Sequence, residues 1–158
     1  MDVDGAEGQF ATALRQVELM HDLPQPRNDG AVQDYPSQES IVARYSDAAR
    51  LAATPKEGQL TYPNRSLANL NLNRPEQALL DATRTAEKIP PTEMALFREI
   101  RALYALRYFD RCLERLEKFT ALHPASKDAK TQMSRVQQRL REQADGVYSF
   151  TSMHEQAN

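Results

Sequence analysis

Apolar residues recur along this chain with a helical rhythm. Phe10, Leu14, Val17 and Met20 follow one another at steps of four, three and three. Ile41, Tyr45 and Ala48 form a second stripe, and Ala129, Met133, Val136 and Leu140 a third. Such spacing puts each set on one face of an α-helix. Pro24, Pro26, Pro36, Pro55, Pro63, Pro75, Pro90, Pro91 and Pro124 cut the chain into segments of helical length. Proline does this because it lacks the N–H that continues a helix. β-Branched runs are few, glycine is scarce, and Ala, Leu, Arg, Gln and Glu dominate. The expected fold class is all-α.

The landmarks also repeat with a period of 34 residues. Leu72 aligns with Leu106, Ala78 with Cys112, Leu79 with Leu113 and Pro90 with Pro124. Tyr62 falls on Leu96, and Ala82 on Leu116. Each unit reads as helix, short turn, helix, proline stop. On these residues, segments 59–90 and 93–124 resemble tetratricopeptide repeats, whose two-helix unit has this length. Tyr62, Ser66, Leu72, Ala78, Ala82 and Pro90 stand at the family's packing positions in the first segment. Leu96, Ile100, Leu106, Phe109, Cys112, Leu116, Phe119 and Pro124 stand there in the second. Asn69 departs from the usual aromatic, Asn73 and Arg107 from the turn glycine, and Thr85 from an alanine. The resemblance implies a short right-handed helical solenoid, in which stacked pairs share a core that no single pair can close.

The flanks extend this frame. The stripe of Ile41, Tyr45 and Ala48 reads as the second helix of a degenerate repeat, so that the repeat region covers 38–124. Pro24, Pro26 and Asn28-Asp29-Gly30 forbid an uninterrupted partner helix over 22–35. The N-terminal region 1–37 is instead expected to hold a helix over about 7–22, which takes that place, and a loop over about 23–37. Ser126 is positioned to start a C-terminal cap helix over 126–143, closed by Gly146, with 144–158 as a tail.

Composition narrows the function classes. At 41% hydrophobic and 27% charged residues in 158, the chain is neither disordered nor a membrane protein by expectation. Its start, Met1-Asp2-Val3-Asp4, lacks the basic and apolar regions of a signal peptide, so a cytoplasmic or nuclear location is expected. A single cysteine, Cys112, forms no internal disulfide and no zinc pattern. Residues 1–60 carry a balance of −5 and residues 61–143 a balance of +5. The basic residues are mixed with acids: Arg107, Arg111, Arg115 and Lys118 sit among Asp110, Glu114 and Glu117. That reads as an ion-paired outer helix face, so no nucleic-acid partner is expected.

Catalytic chemistry is not expected of this chain. His21, His123 and His154 lie on separate elements with no acid at a triad spacing. Cys112 falls where a repeat wants a small buried residue, a setting that suppresses thiolate formation. There is no phosphate-binding glycine loop, HExxH, CxxC or calcium loop, and so no metal or cofactor is expected.

Binding is the alternative. In the family, the first helix of each repeat lines a concave groove for a partner peptide. If 59–72 and 93–106 are those helices, helical spacing places Asn64, Leu67 and Asn71 on one inner wall, and Met94, Arg98, Arg101 and Ala105 on the next. Two arginines beside asparagines and apolar groups suit an extended acidic peptide. The bland alternative is a solvated polar face. Asn64 and Arg98 also match two positions of the carboxylate clamp found in co-chaperones of this family, whereas Met94 stands in place of a clamp lysine. Gly146, Tyr148, Phe150 and Met153 resemble the joint between repeats and SET domain in fungal proteins that carry both. Three functions follow: a protein-interaction adaptor, the recruiting segment of a SET-domain lysine methyltransferase, or a chaperone-tail binder.

Overall fold

A computed structural model describes residues 3–21, 36–84 and 89–156, with side chains over 8–20, 36–84 and 89–146. The expected loop over 23–37 falls almost wholly outside the described residues, as do Thr85 and the side chains of Tyr148, Phe150 and Met153. Among the described residues the regular structure is helical. The helices are α1 (Val3–His21), α2 (Gln38–Leu51), α3 (Pro55–Asn71), α4 (Pro75–Thr83), α5 (Glu93–Ala105), α6 (Phe109–Leu122) and α7 (Lys127–Gln156). Two compact units, 1–99 and 100–158, divide within α5.

In the first unit α1 packs on α2, α2 on α3 and α3 on α4. Phe10, Leu14 and Val17 of α1 enter one buried cluster with Ile41, Tyr45 and Ala48 of α2 and Ala68 of α3. The two stripes therefore meet, whereas Met20 is only half-buried. Ser37 caps α2, its hydroxyl accepting from the Ser40 N–H at 3.1 Å. In the second unit α6 packs on α7. Ile100, Leu103, Phe109, Cys112, Leu116 and Phe119 are buried there, with Ala129 and Val136 of α7.

Both helical hairpins turn in the same way. Asn73 and Arg107 adopt the left-handed region, with φ of 57° and 64°. Around them Asn73 N–H donates to Leu70 O and Arg74 N–H to Asn69 O; Arg107 N–H donates to Tyr104 O and Tyr108 N–H to Leu103 O. This double bond pattern satisfies carbonyls that a helix end would leave orphaned. The family's glycine position is thus retained in backbone form by an asparagine and an arginine.

Five expectations need correction. α3 begins at Pro55, not 59. Thr54 accepts from the Glu57 N–H at 3.2 Å and Glu57 Oε1 accepts from the Ala53 N–H at 3.2 Å, a reciprocal cap with proline at the first helical position. Pro63 lies inside α3 and is buried, so tertiary packing carries the helix past it. α1 runs Val3–His21, beginning before residue 7. α7 continues through Gly146 to Gln156, since one interior glycine costs a helix only about 1 kcal/mol. Pro90 and Pro124 are exposed and outside the core, and α6 ends two residues before Pro124.

Candidate functional site

Starting α3 at Pro55 changes the surface it presents. Leu60, Asn64, Leu67 and Asn71 now follow one another at steps of four, three and four along one face. Leu60 is 49% exposed, Asn64 and Leu67 are half-buried, and Asn71 is exposed. The Asn64 Nδ2 donates to the Leu60 carbonyl at 2.9 Å, and the Asn71 Nδ2 donates to Gln38 Oε1 of α2 at 3.3 Å. Leu60 was not among the residues placed on this wall from sequence. It lies one turn before Asn64 and within the expected 59–72 helix, so helical spacing is the cue that identifies it.

On α5, Met94, Arg98 and Arg101 are spaced by four and three residues, and so share one face of that helix. Met94 is 47% exposed, and both arginines are half-buried. Met94 and Arg98 belong to the first unit and Arg101 to the second. Thr92 caps this helix, its hydroxyl accepting from the Ala95 N–H at 3.1 Å. Chemically, the α3 row offers amide hydrogen bonds between apolar contacts, and the α5 row offers positive charge beside a thioether.

The opposite face of α3 fixes its orientation. Arg65 donates through Nε to Asp81 Oδ2 at 2.9 Å and through Nη2 to Asp81 Oδ1 at 2.6 Å. Asn69 donates to the same carboxylate at 3.0 Å, and Arg65 Nη1 donates to the Ser46 hydroxyl at 3.2 Å. One network therefore ties α2, α3 and α4 together. The bonded carboxylate raises the Arg65 pKa above its ordinary value while burial opposes the rise, so the guanidinium stays charged. Asn69, the departure from the usual aromatic, is 4% exposed and serves this network.

Cys112 and the basic residues around α6 are further singled-out groups with described side chains. Burial pushes the Cys112 thiol up to about 12, and its Sγ donates to the Ile100 carbonyl at 3.4 Å. Among the described residues no group of three His, Cys, Asp or Glu is placed to hold a metal. No helix of the described residues is long and apolar enough to cross a membrane. On α6, Lys118 pairs with Glu114 at 3.5 Å, while Arg111 lies over the Tyr108 ring at 5.8 Å and Arg107 over Phe109 at 6.0 Å.

No family model matches the chain. Its fold is that of tetratricopeptide-repeat domains. It aligns with the Hsp90 co-chaperone Cns1 from Saccharomyces cerevisiae at a TM-score of 0.78 and 11% identity, over 96% of this chain and 45% of that one. The Arabidopsis OM64 TPR domain aligns at a TM-score of 0.59 and 22% identity, over 80% of this chain and 98% of that domain. In sequence, a Gibberella zeae protein named methyltransferase is 42% identical over 128 residues. That match covers 81% of this chain and 18% of the relative, so the chain spans under a fifth of the relative's length.

Proposed function

We propose that this chain is a non-catalytic protein-interaction module. It holds an extended acidic segment of a partner protein against Asn64, Leu67 and Asn71 of α3 and against Met94 and Arg98 of α5, all within the first unit. The observation behind this reading is the α3 row, where amide and apolar groups alternate with solvent-reachable surface. Such a row meets both the backbone and the side chains of an extended peptide. Half-buried Arg98 then supplies a charge-assisted bond to a carboxylate. An array of acidic, neutral and basic extended peptides probed with the full chain tests it. Acidic peptides should be retained, and retention should fall in the Arg98→Glu variant. Indifference to peptide charge would overturn it.

The Gibberella zeae relative favours a second reading, that this module recruits substrate for a methyltransferase domain in a longer protein. The resemblance of Gly146, Tyr148, Phe150 and Met153 to a repeat-to-SET joint points the same way. The test is the mass of the endogenous protein, followed by a methyltransferase assay on it. A mass well above 17.9 kDa with activity is expected; a mass of 17.9 kDa contradicts this reading. Chaperone-tail binding has less support: Met94 replaces a clamp lysine, and Asn64 gives one amide hydrogen to the Leu60 carbonyl.

A further inference from the structure

Between α2 and α4, floored by α3, lies a recess of about 360 Å³. That is at the small end of ligand-pocket sizes, about 300–1,000 Å³, and suits a side chain. Helical spacing sets Arg65 and Asn69, which floor it, opposite Asn64, Leu67 and Asn71 on α3. The recess is therefore separate from the α3 row described above.

Its charge is unbalanced. Arg65, Arg74, Arg84 and Asp81 line it, a formal excess of two positive charges. Asp81 is committed to Arg65 and Asn69. Arg84 is exposed, and its guanidinium carbon stands 4.9 Å from the centre of the Tyr62 ring. A guanidinium held by a ring still has N–H groups in its plane for an acceptor. Arg74 faces Glu39 at 3.5 Å, which offsets one of the two excess charges. The remaining single positive charge matches a carboxylate better than a dianionic phosphate. Leu80, 67% exposed, and half-buried Val42 give the recess an apolar shelf.

We propose that this recess is a second docking site, which takes a glutamate or aspartate of a partner protein. The carboxylate bonds to Arg84, and an apolar neighbour in the same segment lies on Leu80 and Val42. The site stands independently of the groove assigned to α3 and α5.

The test is a titration of the 15N-labelled full chain with an acetylated, amidated leucine–glutamate–leucine tripeptide, followed by NMR. Saturating shifts should centre on the amides of Arg74, Leu80 and Arg84. Arg84→Glu should weaken binding about tenfold or more, the loss of a charge-assisted bond. Leu80→Ser should weaken it without altering charge, and both exposed substitutions should leave the melting curve in place. Arg98→Glu should not change these shifts, which separates this site from the groove. Absent shifts, or shifts unchanged in Arg84→Glu, would overturn the proposal. So would binding of the phosphoserine tripeptide where the glutamate one fails.

Discussion

In the hairpin of α3 and α4, polar groups stand where the end of α5 with α6 has aliphatic ones. Ser66 occupies the position of Ile100 and Asn69 that of Leu103, while the facing positions hold Ala78 and Cys112. In the first hairpin the Ser66 hydroxyl donates to the Ala78 carbonyl at 2.7 Å. In the second the Cys112 thiol donates to the Ile100 carbonyl at 3.4 Å. The same two positions are joined in both, with the donor supplied by opposite helices. The repeat thus dictates backbone placement and leaves the chemistry of closure free. One copy closes on a buried ion pair, the other on Leu116 and Phe119.

This contrast is sharpest when each closure is removed. Asp81→Ala leaves the Arg65 guanidinium buried without its carboxylate, and should cost about 3–5 kcal/mol in urea unfolding. Replacing the pair together, Arg65→Met with Asp81→Leu, should recover most of that loss. A double variant as unstable as the single one would show that the network is needed for more than charge balance. Leu116→Ala in the apolar copy should cost about 2–5 kcal/mol, with no polar swap able to repair it. An unchanged melting curve there would contradict the assigned register.

Smaller effects separate the turns and caps. Arg107→Gly should stabilise by about 1 kcal/mol, because a non-glycine residue at positive φ is strained. Asn73→Gly should change little, since asparagine tolerates that region. Thr54→Ala should cost about 1 kcal/mol through loss of the α3 cap. Cys112 adds a pH signature to the apolar copy. Its raised pKa favours the folded state fully below pH 9.0, and that contribution is lost as pH rises from there to about 12. A thiol-reactive dye at pH 8 should label it only after unfolding; prompt labelling of folded protein would mean the thiol is not buried.

The 34-residue period made the repeats legible, because apolar spacing is local and survives loss of any one family residue. The ion pair was not legible: Arg65 and Asp81 lie 16 residues apart, and no helical spacing connects them. α3's true start was written in Thr54 to Glu57, yet Pro55 and Pro63 read more simply as breaks. Gly146 likewise read as a stop, although one glycine in a long helix is tolerated. Of the candidate site, the face rows of α3 and α5 followed from spacing alone. Leu60, four residues before Asn64 and inside the expected 59–72 helix, is reached by the same spacing.

The proposed groove depends on Arg98 of α5 gripping a carboxylate of the partner segment. The measurement to make is the Kd of the best-retained acidic array peptide for the wild-type chain and for Arg98→Glu. The Kd should be at least about tenfold weaker in the variant, measured at a temperature where both proteins are folded. Equal Kd values in the two proteins would contradict it.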